Sequence, residues 1–196
     1  MQTRVNLNRS IKIAMVALSW LFVMSGGFVQ AQMRERPKPG PELKKLRLWV
    51  GEWKYEGTLK DTPMGPGGKF VGKQTARMIL DDLFLEITAE DKGTYGGKEI
   101  TFKGVTIQWF DTAKQVYLDQ SFDNDGFASS GVTTVDGNTW AGTETRIDRK
   151  GKVYKAKYLN MLSADGKTCI SKTDLSEDDG KTWLPWWELT MKKVRD

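Results

Sequence analysis

Apolar and polar residues alternate with a period of two through most of this chain, and the alternation starts abruptly. Before it, Leu43, Leu46 and Trp49 recur at helical spacing with Leu48 at their flank, and Pro41 suits the first position of a helix. This segment predicts a two-turn helix ending near Gly51, too short to be stable unless it packs on something larger. From there Trp53, Tyr55, Gly57 and Leu59 alternate with Lys54, Glu56, Thr58 and Lys60, the pattern of a half-buried strand. The pattern returns at 72–80, 83–90, 99–111, 116–122, 129–135, 139–147, 153–162, 168–175 and 183–193. Asp125-Gly126, Asp136-Gly137, Asp165-Gly166, Asp179-Gly180 and Gly96-Gly97 mark tight turns between these segments. About ten strands joined by hairpin-length connections predict an all-β fold. The expected architecture is an antiparallel up-and-down β-barrel with a short N-terminal capping helix, which leaves no open edge. Residues 60–69, rich in proline and glycine, interrupt the rhythm and predict a long loop at one mouth.

The first thirty residues follow a different logic. Arg4, Arg9 and Lys12 form a basic start without acidic residues, residues 13–24 are apolar apart from Ser19, and Gly26-Gly27 breaks the run. Val29-Gln30-Ala31 places small or modest side chains at the positions a signal peptidase reads, so cleavage is expected after Ala31. The apolar run is shorter than the roughly 20 residues a membrane-spanning helix needs. No cysteine follows it for lipid attachment. The expected organisation is a signal peptide at 1–31, a linker at 32–41 and the barrel domain at 42–196. A bacterial periplasmic or secreted location follows, with no membrane anchor after cleavage.

Charge and composition then narrow the chemistry. The net charge of +5 falls to +2 once the leader is gone, too little and too interspersed for a nucleic-acid partner. Cys169 is the only cysteine, so no intramolecular disulfide forms. The chain has no histidine, which excludes histidine-ligated haem, His/Cys zinc sites and imidazole-based catalytic triads. Phosphate loops, nucleophile elbows and metal-ligand spacings are missing too, so no cofactor is expected.

Gly51-Glu52-Trp53, opening the first strand after a short helix, resembles the start of the lipocalin and wider calycin superfamily. That resemblance implies a Trp closing the barrel base beneath a basic side chain from near the last strand, for which Lys192, Lys193 and Arg195 are available. More specifically, residues 46–53, Trp109-Phe110-Asp111 and the Asp-Gly-Lys-Thr-Trp near the end resemble a bacterial, mostly exported, lipocalin-like family catalogued as a domain of unknown function. The likeness spans about residues 42–193 and implies a calycin-like barrel without an established activity. Haem-binding relatives of this barrel use a histidine that this chain lacks. The segment 176–183 resembles the Asp-box of sialidase-type propellers, but a single copy marks only a hairpin between the last two strands.

Aromatic residues supply the remaining signal. Seven tryptophans follow the leader, and large rings either fill a barrel or wall a flat ligand. Trp53 and Trp183 read as core. Trp186 and Trp187, as strand neighbours, should face opposite ways, and Pro185, which removes a ladder donor, favours a bulge beside them. If Trp140 points inward, so do Gly142, Glu144 and Arg146, and an inward Tyr154 brings Tyr158 and Asn160. The opposite phase would instead place Ala141, Thr143, Thr145 and Ile147 inside, and the pattern does not choose between them. Gln108 is in phase with Phe102 and Phe110, and Gln120 with Val116, Leu118 and Phe122. The candidate ligand-binding residues are therefore Tyr55, Gln108, Gln120, Trp140, Glu144, Arg146, Tyr158 and Trp187. The expected function is non-catalytic binding of a small, partly apolar or aromatic ligand in the lumen. One alternative is a barrel enzyme of isomerase or hydrolase type using Glu144, Tyr158 or Asp119. Another is an envelope interaction module using an outward Trp186 or Trp187.

Overall fold

In a computed structural model, the structure describes residues 38–196. The expected leader and most of the linker lie outside these residues. A helix, α1 (Pro41–Leu46), passes into one 3₁₀ turn (Arg47–Trp49). Ten strands follow: β1 (Gly51–Leu59), β2 (Gly68–Ile79), β3 (Phe84–Tyr95), β4 (Lys98–Asp111), β5 (Val116–Asp123), β6 (Ala128–Asp136), β7 (Thr139–Ile147), β8 (Val153–Leu162), β9 (Thr168–Ser176) and β10 (Leu184–Arg195). Each pairs antiparallel with its sequence neighbours, and β1 closes on β10, so the sheet is a sealed up-and-down barrel. The fold expected from the alternation is the fold observed.

The helix caps one end. Leu43, Leu46 and Trp49 are buried, and Leu48 at the flank is exposed, as the helical spacing predicts. Trp53 and Trp140 are almost completely buried beneath them. The Trp53 indole donates to the Trp49 carbonyl at 2.8 Å. Trp49 meets Trp140 edge-on at 5.6 Å, and Tyr117 lies 5.0 Å from Trp140 while its hydroxyl donates to the Glu42 carbonyl. Burying such large rings is worth about 1.5–3 kcal/mol each, so this aromatic floor holds the short helix in place. Lys193 completes it: its ammonium lies 5.1 Å from the Trp53 ring centre and donates to the Leu48 carbonyl at 3.0 Å. Of the three basic residues available, Lys193 is the one in the base; Arg195 pairs with Glu52 on the surface.

The register fixes which side chains face the lumen. Trp53 and Tyr55 on β1, Gln108 and Phe110 on β4, and Trp140 to Arg146 at even positions on β7 point inward, settling the phase of 139–147. On β5 the inward residues are odd-numbered, because Gln108 pairs with Asp119 and Phe110 with Tyr117. Gln120 therefore points outward with Val116, Leu118 and Phe122; Gln120 and Phe122 are exposed, Val116 and Leu118 half-buried. Sealing Tyr117 against Trp140 and the helix outweighs hiding the smaller aliphatics of the opposite phase.

Candidate functional site in the lumen

Above the floor the lumen is polar, and its two main polar groups are built alike. Tyr55 on β1 reaches across Gly72 on β2 and donates to Asp91 Oδ2 on β3 at 3.4 Å. Tyr158 on β8 reaches across Gly142 on β7 to the Thr133 hydroxyl on β6 at 2.5 Å, and donates to Asp119 Oδ1 on β5 at 3.5 Å. A side chain at Gly72 or Gly142 would collide with the tyrosine ring, and one at Gly131 would collide with the Asp119 carboxylate. In each case a glycine on the intervening strand lets an aromatic arm lie flat against the wall.

Burial sets the electrostatics of these pairs. Loss of water pushes the Asp91 carboxyl up to about 6, against the opposing pull of the Tyr55 hydroxyl. Desolvation likewise raises Asp119 to about 6, helped by the nearby Glu144 charge and opposed by the Tyr158 hydrogen bond. Both tyrosines are raised well above the usual phenol range, chiefly by burial and then by their aspartates. Tyr95 is raised to about 12 by burial and by Asp91.

The mouth holds an arginine clamp. Arg146 binds Glu144 at 2.8 Å and Asp123 at 3.3 Å. Its guanidinium sits between the rings of Phe127, at 5.3 Å, and Trp186, at 5.2 Å. Trp186 stacks on Trp187 at 5.5 Å, Trp187 on Phe70 at 6.4 Å, and Phe70 meets Tyr55 edge-on, so one aromatic wall runs from mouth to mid-lumen. The expectation that Trp186 and Trp187 face opposite ways fails. Pro185 pairs with Asp174 and Trp187 with Thr173, which leaves Trp186 as the extra residue of a bulge that turns both rings to the mouth. No outward tryptophan patch forms from this pair. Trp183 is not core either: half-buried, it lies under the Lys157 ammonium at 4.6 Å beside the hairpin that Asp178 braces through Lys181 and Thr182.

Of the residues expected in the site, Tyr55, Gln108, Trp140, Glu144, Arg146, Tyr158 and Trp187 face the lumen, with Trp140 in its floor. Gln120 does not. The pattern missed Asp91, because the expected strand ended at Glu90, one residue short of it. The parity of Leu85, Ile87 and Ala89, carried on, would have reached Asp91. Ala76, Ala89, Gly104, Thr106 and Ser121 make the inward face of the β2–β5 wall one of small side chains. Several buried polar atoms have no partner there or nearby: Asp91 Oδ1, Ser129 Oγ, Thr173 Oγ1, Arg146 Nε and the Trp140 and Trp187 indole nitrogens. A groove of about 520 Å³ lies along β2–β5, bordered by Lys73, Thr75, Lys103 and Phe122 of the outer face and by Ala89, Gly104 and Asp123 of the inner register. Among the described residues no group of three or more Cys, Asp or Glu is placed to hold a metal ion, and no helix is long and apolar enough to cross a membrane.

Two solved structures share the fold at low identity. Rv2717c from M. tuberculosis superimposes with a TM-score of 0.58 at 13% identity, covering 80% of this chain and 99% of that one. The S-type phycobiliprotein lyase CPES from Guillardia theta gives a TM-score of 0.51 at 9% identity, over 78% of this chain and 92% of that one. No curated protein matches the sequence. Residues 38–180, from the capping helix through β9 into the last hairpin, match the family described as "Protein of unknown function (DUF1579)", and the chain belongs to that family.

Proposed function

We propose that this is an exported, non-catalytic barrel that holds a small, partly apolar ligand in its lumen. The observation that carries the reading is the set of desolvated polar atoms facing the lumen without partners. Leaving such groups unpaired costs about 1–3 kcal/mol each, a cost that a ligand bearing hydrogen-bonding groups recovers. The aromatic wall from Trp186 to Tyr55 supplies the apolar surface for its body. The resemblance to the Guillardia theta lyase is one of fold, and the argument for a ligand comes from the lumen itself.

The test is native mass spectrometry of the protein purified from its own compartment. A reproducible added mass, lost on denaturation, is the expected result. A bare chain, with the lumen side chains closed on one another in a crystal structure, overturns the reading. N-terminal sequencing of the same preparation tests export, for which the expected first residue is Gln32.

One observation favours a second reading, an acid–base enzyme. Asp119 is raised to about 6, beside the Tyr158 hydroxyl and near Glu144, and a carboxyl in that range can both take and give a proton near neutrality. Turnover of the ligand found by mass spectrometry, abolished in Asp119→Asn, would establish it over simple binding.

A further inference from the structure

The lumen has an excess of negative charge that no cation among the described residues answers. Between floor and mouth the inward register carries the carboxylates Asp91, Asp119, Asp123 and Glu144 and a single cation, Arg146. Arg146 is taken up by Glu144 and Asp123. Among the described residues neither Asp91 nor Asp119 forms an ion pair: Asp91 meets the Tyr55 hydroxyl, and Asp119 the Tyr158 hydroxyl with the Glu144 carboxylate nearby. A buried carboxylate without a counter-charge is costly, and evolution usually answers it with a cation.

Asp91 is the more exposed to this argument. Its Oδ2 accepts from Tyr55, but its Oδ1 is buried with no partner at all. Aromatic rings border it. Phe102 stands directly opposite on β4, Tyr95 lies two turns of the pleat further along β3 and contacts Phe102 at 5.6 Å, and Tyr55 approaches from β1. Aromatic faces carry negative potential, so a carboxylate edged by rings suits an organic ammonium. A second, independent observation points into the same lumen: Thr173, only 5% exposed and opposite both Tyr158 and Trp187, has a hydroxyl without a partner.

Resting on the lumen-binding reading above, we propose that the ligand is an organic cation, a protonated amine or amidine on an aromatic or apolar body. Its charge sits at Asp91 among Tyr55, Tyr95 and Phe102, and its body lies along Phe70 and Trp187.

The test is a matched set of probes on one naphthalene body: 2-(1-naphthyl)ethylamine, 1-naphthaleneethanol and 1-naphthaleneacetate, titrated by calorimetry and by probe fluorescence into the full mature chain. The amine should bind at least tenfold tighter than the alcohol, and the acetate weakest. Asp91→Asn should cost the amine tenfold or more and leave the alcohol within about twofold, while Asp119→Asn keeps most of the preference. The near-ultraviolet circular dichroism of each variant checks that the aromatic floor is intact. Equal binding of alcohol and amine overturns the proposal, as does a preference that survives Asp91→Asn in a folded barrel. If the probes fail or show no charge preference while the native spectrum carries a neutral or anionic passenger, the lumen binds but the charge assignment falls. If no probe binds and the native chain is bare, both readings fall together.

Discussion

The ring of Tyr158 lies across Gly142 so closely that a Cβ at position 142 would stand 2.5 Å from the ring Cζ and 2.7 Å from the Val132 carbonyl oxygen. Glycine at this point on β7 is what lets the Tyr158 hydroxyl reach Thr133 and Asp119. Gly142→Ala should therefore destabilise the barrel by about 1–3 kcal/mol, the usual cost of forcing an extra methyl into a packed wall. Tyr158→Phe, which keeps the ring, should cost about 1 kcal/mol or less and leave the fold unchanged. Urea midpoints of both variants check the order. Equal stability of Gly142→Ala and the parent chain would show that the tyrosine has room to move elsewhere.

A pH dependence follows from the two lumen aspartates. Both are raised in the folded state to about 6, mainly by loss of water, against an ordinary carboxyl value near 3.8. The folded chain thus holds more protons than the unfolded chain between about pH 4 and 6, and stability contributed by these groups falls as pH rises through that window. The double variant Asp91→Asn, Asp119→Asn should remove this slope and gain on the parent at pH 7.5 relative to pH 4.5. Only the difference between the two proteins is diagnostic, because Asp178 pulls the other way. The Thr182 amide and hydroxyl and the Ser176 hydroxyl hold that carboxyl below its usual range, so its support for the last hairpin is lost on acidification. Binding of a cation at Asp91 should weaken below pH 6 and there release protons, measurable as a buffer-dependent heat.

How far the barrel could be read from the chain varies with what fixes each part. The period-two runs on β7 and β8 are bounded by tight Asp-Gly or charged turns, and their limits were readable to the residue. β3 was not: the expected strand stops at Glu90, because Asp91-Lys92-Gly93 breaks the apolar alternation, whereas in the fold Gly93 makes room for the Tyr95 ring and the strand runs on. The phase of β5 depends on Gln115, which takes a positive φ of 57° in the turn after β4, a tertiary choice that local alternation does not contain. The Trp186 bulge is similar: one unpaired residue reverses the side of every residue after it, Trp187 first. Periodicity sees faces, and the site lies where register and bulges decide which face is which.

The base of the barrel offers a separate test of the superfamily likeness. Lys193 spans two elements, meeting the Trp53 ring and the Leu48 carbonyl, with its side chain only 11% exposed. Lys193→Met keeps the aliphatic stem and removes these two contacts and the long pairing with the exposed Asp196 at 3.8 Å, so it should cost about 1–2 kcal/mol. Lys192→Met, whose side chain lies on the outer face of the same strand, should change the urea midpoint little. A matching loss in the two variants would mean that general charge, rather than the contact with Trp53, supports the base.

Thr173 separates stability from binding most directly. Its hydroxyl is buried, faces Tyr158 and Trp187 across the sheet, and has no partner. In the ligand-free barrel this group is a liability, and replacing it with a methyl of nearly the same size removes an unpaid desolvation cost. Thr173→Val should therefore stabilise the empty protein by up to about 1 kcal/mol. The same change should weaken a ligand that hydrogen-bonds there by roughly five- to tenfold, an ordinary loss for one neutral hydrogen bond. Thermal unfolding with and without the passenger found by mass spectrometry reads both effects on one sample: the midpoint rises in the empty variant, and the ligand-induced shift shrinks. A variant that is stabilised but binds unchanged would show that the ligand leaves this hydroxyl unanswered and lies wholly on the β2–β5 side of the lumen.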